Sequence, residues 1–401
     1  MQKWSQYIPE GMNDYLYANL KRKRLIEQAI TGVFEERGYL EIETPTLEFL
    51  DVFRSLDSHV PDEDMYKLFD AKGRILALRH DMTTPIARVA ATKLRQEERP
   101  IKLYYRQNVY RNNEYLHGQR DEVTQCGVEV LGLSNDRADM DILITAIEAL
   151  KQATSQGFKI ELGHIGFFKA LASQLQAEQS QVEAIRQCIE TKNFAQLDSL
   201  LDNLQDDPQV IAAIRQLPRL FGEPDILDRA ASLTQSEEAQ AILAELRHIV
   251  EDLTQLGYGE YLAVDLGMVH QIGYYTGLIF RGYLDGSGEN CLAGGRYDGL
   301  SANFGGELPS TGFAITVNSI LDTQEKTDSM AAVSMAPDSV VFYEEGCIGQ
   351  AYAIYRNIKQ MGQSCQISLY ATLEEARQHA VNLGAKYLYH VQPGKTEIIN
   401  L

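Results

Sequence analysis

Positive charge is what this sequence is short of. It carries 37 lysines and arginines against 56 aspartates and glutamates, a formal net charge of -19 and a pI of about 4.9. That balance argues against a broad basic footprint for nucleic acid. Cysteine is scarce and shows no pairing pattern. Cys126, Cys188, Cys291, Cys347 and Cys365 form no CxxC pair and no metal-ligand spacing, which points to reduced thiols rather than disulfides or a metal site. Long apolar runs are missing too, so no stretch reaches the length needed to cross a bilayer. The opening residues MQKWSQYIPEG lack the apolar core of a signal peptide. There is no internal repeat or low-complexity tract. The expectation is a soluble cytoplasmic protein without cofactor, membrane contact or nucleic-acid partner.

What is present is enough apolar sequence, 44% of 401 residues, for a large core and two or three domains. The chain is organised around Pro100 to Leu133, which reads as two strands joined by a long polar loop. In the second strand, Glu122 to Leu131, Thr124, Cys126, Val128 and Val130 point one way. That mainly apolar face suits packing beneath helices. Val123, Gln125, Gly127 and Glu129 point the other way. A glycine between a carboxamide and a carboxylate leaves room for something to lie against the backbone. The plainer alternative is an exposed sheet face with a bulge at Gly127.

Around that hairpin, residues 17–37 read as a helix with Ile26, Ile30, Val33 and Phe34 in one stripe and Gly38 as its stop. "YLEIETPTLE" reads as a strand ending at Pro45, and residues 51–72 as a polar loop. "GRILALRHDMTTPIARVAATKL" reads strand, turn, helix, with Thr84 as cap, Asp81 and Thr83 also readable as capping residues, and Pro85 at the first helical position. Met140, Leu143, Ile144 and Ile147 mark another helix, and "FKIELGH" a strand. Residues 165–257 are rich in Gln, Glu, Ala and Leu and read as several short helices inserted into the core. "LAVDLGMVHQIGYYTGLIFRGYLD" returns to strand patterning, with "GSGENC" as a loop after it. Gly294 and Gly295 then serve either close approach to a ligand or a tight bend. "STGFAITVNSIL" reads strand into helix, and residues 322–337 as a linker. Residues 338–401 read as a small α/β domain with strands at Val340–Phe342, Cys365–Tyr370 and Lys386–Val391 and helices at Ile348–Met361 and Leu373–Leu383.

Arg111-Asn-Asn, a loop with Gly118, and "EVTQCGVEV" from Glu122 to Val130 resemble motif 2 of class II histidyl-tRNA synthetases without a gap. "GYLEIETPTLE", "LRHDMTTP", "YYTG", "AGGRYDGL" and "TGFAI" resemble further motifs of that family, in order, over most of residues 8–325. The fold this resemblance implies is α+β: an antiparallel class II sheet core with helices from residues 1–164 and 258–325. It further implies that residues 165–257 are a helical insertion and residues 338–401 a shortened anticodon-binding domain. It also makes the first helix, strand and Pro45 a self-dimer interface.

Adenylation needs cations around the triphosphate, because carboxylate, phosphate and transition state all carry negative charge. Arg111 is present. The motif 3 arginine position falls on Ser319, an extra arginine position on His270, and the motif 2 glutamate on Asn113. Glu114, Gln119 and Asp121 stand where the synthetase loop carries arginine. One such donor is worth roughly 10²–10³ in rate, so losing two would cost about 10⁴–10⁶. The amino-acid side is kept. The resemblance implies histidine contacts at Asp81, Thr83, Gln125, Glu129 and Tyr275, with Arg111 and Tyr274 beside them. Asp81 would face the ammonium group and Glu129 the imidazole N–H. Taken singly, each is equally readable as a satisfied core polar group.

A synthetase-like chain that keeps a histidine pocket and loses adenylation chemistry resembles the regulatory subunits of ATP phosphoribosyltransferase. The resemblance implies a non-catalytic chain that activates a short-form catalytic subunit in a hetero-oligomer, typically four of each, and conveys histidine feedback. Two other readings stay open at this point: an active histidyl-tRNA synthetase, and an RNA binder using the C-terminal domain.

Overall fold

The computed structural model describes residues 4–54, 61–113, 120–269, 274–327 and 333–401. His270, Glu114, Gly118 and Gln119 lie outside the described residues. The chain divides into two compact units: Met1–Asp14 with Arg22–Met330, and Tyr15–Lys21 with Ala331–Leu401.

Helix α1 spans Tyr17–Glu36 and buries Ile26, Ile30, Val33 and Phe34. Gly38 ends it at φ +78°, and Tyr39 N–H reaches back to Phe34 C=O at 3.0 Å. This left-handed stop satisfies carbonyls that the last turn leaves open. Strands β1 (Leu40–Glu41), β2 (Leu47–Phe49), β3 (Lys67–Phe69) and β4 (Ile75–Leu78) follow, then helix α2 (Thr83–Thr92). The hairpin is β5 (Ile101–Tyr110) and β6 (Glu122–Leu131), with α3 (Asp136–Ala153) and β7 (Phe158–His164) after it. Next come α4 (Ile165–Ala172), α5 (Gln179–Glu190), α6 (Phe194–Asp202), α7 (Pro208–Gln216), β8 (Phe221–Gly222), α8 (Ile226–Ser232) and α9 (Glu237–Gln255). The first unit closes with β9 (Leu262–Asp265), β10 (Leu278–Leu284), β11 (Asn290–Arg296), β12 (Ser310–Thr316) and α10 (Val317–Lys326).

The main sheet runs β1-β5-β6-β12-β11-β10-β7-β9-β8. Its neighbours are antiparallel except β1 with β5 and β7 with β9. Cys126, Val128 and Val130 are buried on one face. There Phe34 meets Phe313 edge-on at 5.8 Å between ring centres. The opposite face carries Gln125, Gly127 and Glu129, and the first residue of α2 bonds to it.

Several local expectations need correction. "YLEIETPTLE" is two short strands in different sheets, with Pro45 between them. Proline has no N–H for a ladder, and side chains hold the backbone there instead. Gln107 bonds both Thr44 N–H and Thr44 C=O, at 3.3 and 3.2 Å. The supposed loop of residues 51–72 contains β3, which pairs with β4. Thr84 does not cap α2, and Pro85 is its third residue. Asp81 caps it, accepting Thr84 N–H at 2.7 Å. Buried α3 positions include Ile142, Leu143, Ala146 and Ile147, whereas Met140 and Ile144 are half-buried. Asn290 and Cys291 belong to β11 rather than to a loop, and α10 extends to Lys326, into the expected linker.

Gly127 shows no bulge, since the β6 register is continuous on both sides. The space above it is filled by Tyr105 from β5, whose ring a β-carbon at residue 127 would strike. Gly294 likewise serves neither a ligand nor a bend, because the β12 backbone and Phe280 occupy that space.

The second unit holds β13 (Ser339–Tyr343), α11 (Ile348–Gln360), β14 (Cys365–Ile367), α12 (Leu373–Asn382), β15 (Tyr387–Gln392) and β16 (Lys395–Asn400). The sheet order is β14-β13-β15-β16. Strand β14 stops at Ile367, short of the expected Tyr370. The sequence reading missed β16, which returns on β15 through a turn with Gly394 at φ +75°.

Candidate functional site

Glu129 sits on the buried floor of β6, only 1% exposed. Two hydroxyls donate to it: Thr83, the first residue of α2, at 2.9 Å, and Tyr297, just beyond β11. Burial pushes its carboxyl up to about 8, the Tyr297 and Thr83 hydrogen bonds pull it down, and the nearby Asp81 charge adds to the rise. The pocket is therefore poised between a neutral acid and an anion near neutral pH. Gly312 lies opposite Glu129 in the sheet. Any β-carbon there would collide with the Glu129 carboxylate, so glycine is what lets the acid lie flat across the neighbouring strand.

Tyrosines wall this acid. Tyr274 lies 4.9 Å from Tyr275 and 5.8 Å from Tyr297, ring centre to ring centre. Both Tyr274 and Tyr275 pack with Ala87 of α2, Leu300 and Tyr297. Burial raises the Tyr105, Tyr274 and Tyr297 hydroxyls well above their usual range, so they stay neutral donors.

Asp81 is already engaged. One oxygen accepts Thr84 N–H, and the other meets the Thr84 hydroxyl at 3.1 Å and His80 Nε2 at 2.8 Å. Burial alone would raise its carboxyl, but His80 and the Thr84 hydrogen bonds outweigh burial and lower it. Asp81 is thus an anion anchored to the start of α2.

Arg111 and Gln125 line an adjacent cavity of about 430 Å³. Arg111 Nε donates to His80 C=O at 3.2 Å. The remaining wall includes Asn113, Arg120, Tyr283, Asn318, Ser319 and Asp322. Arg120 supplies a second cation that the sequence reading passed over. It is paired with Asp322 at 2.7 Å. Asp121 holds Asn113 and the Tyr66 hydroxyl, and its N–H bonds Gly11 C=O at 2.8 Å.

The sequence-selected residues thus fall into two groups. Thr83, Tyr274 and Tyr275 surround or approach one buried acid, Glu129, with Asp81 at its edge. Arg111 and Gln125 face the neighbouring cavity. Tyr297, Tyr105 and Arg120 were missed. Tyr297 stood inside the quoted "AGGRYDGL", and Tyr105 could be found by pairing the hairpin, which sets it opposite Gly127. Among the described residues no cluster of three or more His, Cys, Asp or Glu is arranged to hold a metal. No helix among them is long and apolar enough to cross a membrane.

The family model for histidyl-tRNA synthetase matches residues 11–320. A Clostridium kluyveri protein named ATP phosphoribosyltransferase regulatory subunit is 41% identical over 390 residues, spanning 97% of this chain and 100% of that protein. A solved structure from Bacillus halodurans, described as an ATP phosphoribosyltransferase regulatory subunit/histidyl-tRNA synthetase, has a TM-score of 0.87 at 27% identity, covering 98% of this chain and 100% of that one. Histidyl-tRNA synthetase from Nostoc sp. PCC 7120 shares the fold, with a TM-score of 0.80 at 20% identity over 98% of this chain and 96% of its own. The chain belongs to the ATP phosphoribosyltransferase regulatory-subunit family, built on the class II histidyl-tRNA synthetase fold.

Proposed function

We propose that this chain activates a short-form ATP phosphoribosyltransferase catalytic subunit and conveys feedback inhibition by free histidine, without catalysing a reaction itself. The observation that carries this reading is the contrast between the two halves of the cleft. Around Glu129, two hydroxyl donors hold a buried acid, which supports an acceptor for an imidazole N–H there. In the adjoining cavity, Ser319 occupies the motif 3 arginine position, and Arg120 is neutralised by Asp322.

In this reading the imidazole N–H donates to Glu129 in a dry site, a bond that becomes charge-assisted when the acid, raised by burial, gives up its proton. Thr83 and Tyr297 hold the carboxylate in place. Asp81, fixed by His80 and Thr84, offers its remaining lone pair to the ammonium. Gln125 and Tyr275 complete the polar wall, and Arg111 lies beside the effector's carboxylate. Histidine can shift the assembly only through unequal affinity for its active and inhibited states.

The proposal includes a self-dimer within a hetero-oligomer of four regulatory and four catalytic chains, working in the cytoplasm. An apolar groove of about 930 Å³ supports the dimer; its lining includes Leu40, Ile42, Pro45, Leu47 and Phe49. Leu40 is 71% exposed there, more than an isolated chain would favour for so large an apolar residue.

The test is reconstitution. Adding the purified chain to the short catalytic subunit should raise phosphoribosyl transfer. The chain alone should show no histidine-dependent ATP–pyrophosphate exchange. Robust exchange, or failure to bind and activate the catalytic subunit, would overturn the reading.

A further inference from the structure

The cleft floor continues past Tyr283 into a separate cavity of about 230 Å³ that the proposed histidine pocket does not use. Its charged lining comes from three neighbouring strands and the end of α5. Arg281 of β10 stands directly opposite Glu161 of β7. Glu161 in turn stands opposite Ala263 of β9, two residues before Asp265. Lys192 leans over Phe221, with its nitrogen 6.0 Å from the ring centre. Its backbone sits at φ +51°, a conformation that non-glycine residues adopt at a cost.

Two of these charged groups are left without a hydrogen-bond or ion-pair partner among the described residues. Arg281 and Glu161 face each other across the sheet, yet among the described residues neither side chain forms a hydrogen bond or ion pair. Asp265 is 9% exposed, and one of its oxygens accepts Gly267 N–H at 2.8 Å. Burial and the Asp265 charge push Glu161 up to about 7, while Arg281 and Lys192 oppose the rise. Glu190 is engaged by Arg186 at 2.8 Å. A lone cation would meet Arg281 and Lys192, a lone anion would meet two carboxylates, and an uncharged ligand would strip water from all four groups.

We infer that this cavity binds a small zwitterion, a free α-amino acid whose carboxylate meets Arg281 and Lys192 and whose ammonium meets Glu161 and Asp265. The space equals about seven or eight water volumes, and Phe221, Met268, Val269 and Tyr283 supply a partly apolar wall for a side chain.

The twenty free L-amino acids, each at about 10 mM, are titrated calorimetrically into the full-length wild-type chain and into Arg281→Gln, Arg281→Lys, Glu161→Gln and Glu129→Gln. Unfolding midpoints verify that each variant is folded. At least one amino acid should bind with an affinity reduced about tenfold or more by Arg281→Gln and by Glu161→Gln. Arg281→Lys should recover part of the loss, and Glu129→Gln should leave this binding unchanged. The matching amine and the matching carboxylic acid should not compete. No binding that depends on Arg281, or equal competition by the amine or the acid, would overturn the inference. Loss confined to Glu129→Gln would also overturn it while leaving the histidine pocket standing.

Discussion

Tyr297 donates its hydroxyl to Glu129 across 168 residues of chain, tying the segment just beyond β11 to the motif 2 hairpin. The bond orients one oxygen of a buried acid, and Thr83 holds the other from α2. Tyr297→Phe keeps the ring packing and removes only the donor. It should cost about 1–2 kcal/mol of stability and weaken histidine binding several-fold. Chemical unfolding and calorimetry together check this, and an unchanged histidine affinity would show that the orientation of Glu129 is irrelevant.

The raised Glu129 carboxyl has a pH consequence with a definite sign. Its folded value of about 8 lies above its ordinary 4.5. The folded chain therefore holds a proton that the unfolded chain releases. The resulting stability is fully present below pH 4.5 and is lost as pH rises through about 8. Glu161, pushed up to about 7, adds a loss of the same sign. Comparing wild type with Glu129→Gln isolates the first group. The wild-type unfolding free energy should fall more steeply between pH 5 and pH 9, by an amount on the order of a few kcal/mol. Parallel profiles would contradict the placement of an isolated buried acid here.

Gly312→Ala tests the close approach of β12 to Glu129. The added β-carbon would meet the Glu129 carboxylate and Val128 C=O at once. Strand backbone cannot move aside cheaply, so the expected cost is about 3 kcal/mol or more, with loss of histidine binding. A variant with wild-type stability and affinity would mean that the acid can lie elsewhere.

The parts of this arrangement written locally in the chain could be read directly. The alternation from Glu122 to Leu131 marked the strand and its two faces, and the Ile26–Phe34 stripe with Gly38 marked α1 and its end. What could not be read depended on partners distant in sequence. Gly127 looked like space for a ligand until β5 brought Tyr105 over it. Tyr297 stood inside a quoted motif, but nothing local signalled its bond to Glu129, 168 residues away. Arg120, just before Asp121 at the foot of the hairpin, meets Asp322 from 202 residues away. Pairings over such separations carry no periodic signal.

The central claim is that histidine acts through the Glu129 pocket on the activity of a partner chain. The most direct measurement titrates histidine against phosphoribosyl transfer by the short catalytic subunit, assembled with either the wild-type chain or Glu129→Gln. Typical coupling of about 1–3 kcal/mol implies a several-fold to hundred-fold effect on affinity. The account expects the wild-type assembly to be inhibited and the Glu129→Gln assembly to keep its uninhibited rate while needing at least about tenfold more histidine. Superimposable inhibition curves would contradict it.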